Sequence, residues 1–217
     1  MSLSAKAAKI QGQLAGDAPK LGDLKKMAGE IKKDHALAEE LWGTGAYYPR
    51  LLAILIMDKG LLDQAALERL AKDMLAHDYD ERNQLADWLL ANQLKKSKKT
   101  IALVEGWKES GELMLRRIFW DHQARLRWRS QEIPDNAVAL LDTIDANMLE
   151  AEPEVQRSMN FTVAQIGIYE PAYRKRCIAL GEEMGLYIDE PVPRNCTSPY
   201  IPLWIDEEVG KLKAAAG

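Results

Sequence analysis

Leu67-Glu68-Arg69-Leu70-Ala71-Lys72-Asp73-Met74 carries its apolar residues at i, i+3, i+4 and i+7, which sets Leu67, Leu70, Ala71 and Met74 on one face of a helix. A half-buried strand would alternate instead. Leu24, Met27, Ala28 and Ile31 repeat the same series, and no hairpin signal competes with it anywhere. Breaks fall at Gly43-Thr44-Gly45, Asp58-Lys59-Gly60, Asp78-Tyr79-Asp80, Ser110-Gly111, Ile133-Pro134, Glu152-Pro153, Glu170-Pro171 and Pro191-Val192-Pro193. They leave helices of about 10–18 residues, so the expected fold class is all-α.

A weak internal repeat orders those helices. Arg50-Leu51-Leu52-Ala53, Arg82-Asn83-Gln84-Leu85, Arg116-Arg117-Ile118-Phe119 and Arg157-Ser158-Met159-Asn160 each open an apolar helix, at intervals of 32, 34 and 41 residues. Stacked helical pairs of the HEAT and armadillo kind have periods of roughly 40, so the spacing predicts an α-solenoid with some shortened units. Equivalent helices would then line one concave, basic groove. With 217 residues, 47% of them hydrophobic and 29% charged, the chain has the composition of a packed soluble protein. Two cysteines, Cys177 and Cys196, no signal-peptide pattern, and no apolar run longer than the seven residues from Leu51 to Met57 point to a reduced, cytoplasmic setting without a membrane partner.

Charge is distributed unevenly. The chain has a net charge of −4, yet Lys95, Lys96, Lys98, Lys99, Lys108, Arg116, Arg117, Arg125, Arg127 and Arg129 face only Glu105, Glu109, Glu112 and Asp121 within residues 95–129, a local +6. A polyanion partner follows from that asymmetry. From Arg116 to Arg129 guanidinium groups interleave with Phe119, Trp120 and Trp128, so phosphate and base could both be met. The plainer alternative is an amphipathic helix with Ile118, Phe119, Leu126 and one indole in the core, and with Arg117, Asp121 and Arg125 as a solvated ion-pair ladder.

Few residues could carry chemistry. His35, His77 and His122 are far apart and no Cys/His pair has ligand spacing, so no metal site is expected. Phosphate-cradling glycine loops and a serine nucleophile elbow are absent. Asn83 and Asp87 lie one turn apart on a shared helical face, with Leu85, Leu89 and Leu90 directed elsewhere. Asp87 could equally be a surface carboxylate favoured by the helix dipole.

Leu41-Trp42-Gly43-Thr44-Gly45-Ala46-Tyr47-Tyr48-Pro49-Arg50-Leu51-Leu52-Ala53, the Asp87 helix, Leu115-Arg116-Arg117 and Met159-Asn160-Phe161-Thr162-Val163-Ala164-Gln165-Ile166-Gly167 together resemble AlkD-type DNA alkylation repair proteins. The similarity spans about residues 22 to 205. It implies a right-handed superhelix of HEAT-like repeats whose concave basic face clasps duplex DNA and, in active members, a cofactor-free glycosylase that releases cationic N3- or N7-alkylated purines. Asp87 then resembles the family's catalytic carboxylate, Arg117 its phosphate-gripping arginine and Arg125 a second basic contact, with Lys95 and Lys96 adding to the DNA-binding surface.

Two departures bear on activity. Asn83 stands where active relatives place a tryptophan one turn before the carboxylate, and Phe161 stands where they place a second. The chain therefore resembles a divergent branch, expected to bind duplex DNA, alkylated or branched, as a monomer, with excision diminished or lost. A protein-binding solenoid is the alternative from another class. The expected organisation is an N-terminal extension over residues 1–21, a repeat domain over 22–190 and a C-terminal part over 191–217. In that last part Asn195-Cys196-Thr197-Ser198-Pro199-Tyr200-Ile201-Pro202-Leu203-Trp204-Ile205 reads as a cap over the final repeat or, alternatively, as a DNA-contacting tail.

Overall fold

A computed structural model of the chain describes residues 3–16, 18–129, 133–194 and 196–216. Asn195, at the head of the proline-rich ending, lies outside the described residues, and so does the side chain of Arg129. Among the described residues the regular structure is twelve α-helices and three single 3₁₀ turns, with no strand. The chain divides into two compact units, Met1–Ile118 and Phe119–Gly217. None of the described helices is long and apolar enough to cross a membrane.

The first unit holds α1 (Ala5–Leu14), α2 (Leu21–Ile31), α3 (His35–Gly43), α4 (Tyr47–Ile56), α5 (Gln64–Met74), α6 (Tyr79–Asn92), α7 (Lys98–Glu105) and the start of α8 (Leu113–Arg129). Side-chain oxygens of Ser4, Asp34, Asp63 and Asp78 accept backbone N–H groups at the starts of α1, α3, α5 and α6. Such caps satisfy donors that the helix itself cannot. Helices α2, α3 and α6 all pack on α4, whose Leu51, Leu52, Ala53 and Ile54 are fully buried. The break between α2 and α3 has no glycine or proline. Lys32 ends α2 at a positive φ of 64° and Asp34 caps the start of α3, so neither glycine nor proline marks the break in the sequence.

The repeating arginines have a structural job. Arg50 donates to the carbonyls of Trp42 and Asp73 and lies 4.9 Å from the Trp42 ring. Arg82 and Arg116 each reach back to a carbonyl just before their own helix, those of His77 and Ser110. Arg157 grips Glu190 with two bonds of 2.7 and 2.9 Å. These guanidiniums satisfy carbonyls and a carboxylate at the turns.

The second unit contains the rest of α8 with α9 (Ala137–Asn147), α10 (Pro153–Tyr169), α11 (Arg174–Met184) and α12 (Ile201–Ala216). Proline opens α10 at a position where its missing N–H costs nothing. Helix α12 packs against both α10 and α11. It comes so close that a Cβ on Gly167 would stand 2.4 Å from Ile205 Cδ1, and one on Gly181 2.6 Å from Ile201 Cβ. At Gly181 the obstructing atoms are the branch point of Ile201 and the Pro202 ring, neither of which can swing aside. Gly181→Ala should therefore cost about 1–3 kcal/mol in urea unfolding, the usual penalty for overpacking. An unchanged midpoint would mean that α12 is loosely docked.

Candidate functional site

In the first unit α6 and α8 bring three of the sequence candidates together. Arg117 Nη2 lies 2.9 Å from Asp87 Oδ1, and Arg117 Nε donates to Asn83 Oδ1 at 2.7 Å. Asn83 in turn donates to the Tyr79 carbonyl at 2.8 Å, which fixes the orientation of its amide. The i, i+4 spacing on α6 makes this possible, because Asn83 and Asp87 present two acceptors to one planar guanidinium. Only 9% of the Arg117 side chain is exposed against 35% of Asp87, so Asp87 is the more open partner, although its paired oxygen, Oδ1, is itself buried. Arg117 Nη1 is buried and makes no hydrogen bond.

Lys95 and Lys96 are exposed in the 3₁₀ turn Leu94–Lys96 that follows α6, with Lys98 and Lys99 exposed just beyond. Lys59 donates to the Lys96 carbonyl and Lys99 to that of Gly60, tying this turn to the one at Lys59–Leu61. Among the described side chains of the basic segment, exposed positive charge is concentrated in these lysines. Its arginines are largely engaged: Arg116 on the Ser110 carbonyl, Arg117 on Asp87, and Arg127 with a fully buried side chain on Glu170.

In the second unit Arg125 Nε pairs with Asp121 Oδ2 at 2.6 Å, with 28% of the arginine side chain exposed. One rung of the expected solvated ladder forms, but on a carboxylate that is buried, while Arg117 pairs with Asp87. Phe161 is not isolated. Its ring meets Trp128 of α8 edge-on at 5.5 Å and stacks on Trp204 of α12 at 5.5 Å with 20° between the planes. All three rings are partly exposed. The sequence marks Trp204 as part of a cap but does not connect it with Phe161, which lies 43 positions earlier with no shared motif. The other four indoles are buried. Those of Trp42, Trp88 and Trp107 donate their N–H to Asp73, the Leu51 carbonyl and Gln64.

Burial pushes the Cys177 thiol up to about 12, far from the thiolate a nucleophile needs. Among the described residues there is no group of three or more His, Cys, Asp or Glu side chains able to hold a metal ion. What the first-unit cluster can do is electrostatic: offer a carboxylate to a developing cation, or a guanidinium to an anion that displaces that carboxylate.

The family model described as "DNA alkylation repair enzyme" matches residues 17–183. No curated protein matches this chain significantly. A solved structure, reported as "A new family of proteins related to the HEAT-like repeat DNA glycosylases with affinity for branched DNA structures", is similar with a TM-score of 0.69 and 19% identity, over 96% of this chain and 89% of that one. That likeness establishes the fold class as the all-α solenoid of HEAT-like repeats.

Proposed function

Since the chain belongs to the DNA alkylation repair enzyme family, we propose that it binds duplex DNA through its basic residues and slowly excises cationic N3- or N7-alkylated purines at Asp87. The observation that carries this reading is the half-open pair of Asp87 and Arg117, held 2.9 Å apart beside Asn83. A DNA phosphate competes with Asp87 for the guanidinium, and when phosphate wins, the carboxylate is released toward the sugar. An alkylated purine is already cationic. Heterolysis of its glycosidic bond sends the electron pair to the departing base, which leaves neutral, and water adds at C1′ and loses a proton. The carboxylate stabilises the sugar cation that forms between those two events. Arg125, Lys95 and Lys96 hold the backbone, and the protein acts as a monomer where DNA lies, in the cytoplasm.

A second reading, a non-catalytic binder of branched DNA, is favoured by the amide of Asn83, which gives the carboxylate no electron-rich aromatic face, and by the branched-DNA affinity reported for the similar structure. Binding itself is tested by its salt dependence, since each phosphate neutralised releases condensed counterions. Arg125→Ala should weaken duplex binding and lower the log–log salt slope by about one unit. A double Lys95→Ala, Lys96→Ala variant should lower it by about two. Unaltered affinity and slope in both variants, with folding intact, would leave the basic surface without a nucleic-acid role.

A further inference from the structure

We propose that Trp204, Phe161 and Trp128 form a stacking platform for an unpaired nucleobase, a proposal that rests on the DNA-binding reading and adds a ligand to it. The rings come from three helices, α12, α10 and α8, and make one cluster, with centroid spacings of 5.5 Å at both contacts. They set themselves apart from the other indoles of the chain, which are buried. Large π-surfaces left partly in water cost solvation unless something covers them, and a base, which has a π-face whatever its sequence, covers them without needing a sequence code.

Two further observations favour a ligand over a mere seam between helices. Trp204 is held rigidly, because α12 is pressed onto α10 and α11 at Gly167 and Gly181 through Ile205, Ile201 and Pro202. A stacking ring that does not have to be ordered on binding loses little entropy when a base arrives. Arg125 lies one turn before Trp128 on α8 and is part-exposed in its ion pair with Asp121, so a guanidinium stands on the same helix as one of the rings and can exchange that carboxylate for a phosphate. Trp204 itself falls outside residues 17–183, the span matched by the family model, so family membership does not assign it a role. The occupant is an unpaired base, since a paired base in a continuous duplex has both faces already stacked.

The test uses the full chain with two hairpin duplexes, identical except that one carries a single bulged thymine. Wild type should prefer the bulged duplex by about 10-fold, and its tryptophan emission should be quenched by that duplex alone. Trp204→Leu keeps apolar bulk without the π-face, and should lose the preference and most of the quenching while binding the intact duplex as wild type does. Trp204→Phe keeps a π-face while losing the indole emission, and should keep most of the preference. The platform is overturned if wild type shows no preference for the bulge, if Trp204→Leu retains it, or if both duplexes lose affinity equally in a variant with native melting. Should Trp204→Leu melt early, Trp204→Phe and the wild-type quenching decide, and quenching equal for both duplexes overturns the proposal. Failure of wild type to bind even the intact duplex would instead count against the DNA-binding reading.

Discussion

Replacing Arg127 by methionine lowers the unfolding free energy by about 3 kcal/mol or more, the scale on which removing one member of a buried charge pair destabilises a protein. Its side chain is wholly buried. Nε donates to Glu170 Oε1 at 3.1 Å, Nη1 to the Gln123 carbonyl at 2.9 Å, and Nη2 to Asn136 Oδ1 at 2.6 Å. Asn136 closes the network by donating to Gln123 Oε1. Methionine fills part of the volume and leaves the carboxylate of Glu170, the Asn136 side-chain oxygen and the Gln123 carbonyl without the guanidinium donor. A second change, Glu170→Leu, should recover part of the loss, because two apolar groups leave no uncompensated charge. The check is a urea denaturation series on both variants. Duplex affinity of the folded Arg127→Met protein should stay at the wild-type value, since this guanidinium never reaches solvent.

Arg127 illustrates what the sequence could and could not disclose. Its helix was legible, because 3.6-residue periodicity is a local property, and so was the shared face of Asn83 and Asp87, four residues apart. Its burial was not. The carboxylate that neutralises Arg127 sits 43 residues away, and in the sequence the residue looked like one more positive charge in a basic stripe. Arg117 was hidden in the same way, its partners lying 30 and 34 residues earlier on α6. Charge counting finds an electropositive segment, but only packing decides which members keep their charge for a ligand. The grouping of Phe161 with Trp128 and Trp204 depends on how α12 docks, and glycines in α10 and α11 make that docking possible.

Asp87→Asn is expected to reduce release of N7-methylguanine from methylated duplex DNA by at least about 100-fold, the scale of losing a preorganised electrostatic group from a transition state. The substitution is nearly isosteric, and its amide oxygen can still accept from Arg117, so the site keeps its shape and loses only its negative charge. Affinity for undamaged duplex should move the other way. With Asp87 neutral, a phosphate no longer competes with a carboxylate for Arg117 and meets one negative charge fewer, so binding tightens. Opposite signs for binding and release in a single variant separate an electrostatic role for Asp87 from simple unfolding, which would depress both.

The most direct test is single-turnover incubation of wild type and Asp87→Asn with N7-methylguanine-containing duplex, quantifying the free base. Slow release by wild type above a protein-free control, abolished in Asp87→Asn while that variant still binds the duplex, is the predicted result. Release that survives in Asp87→Asn, or none from wild type bound to the same duplex, would contradict a carboxylate-assisted excision at this site.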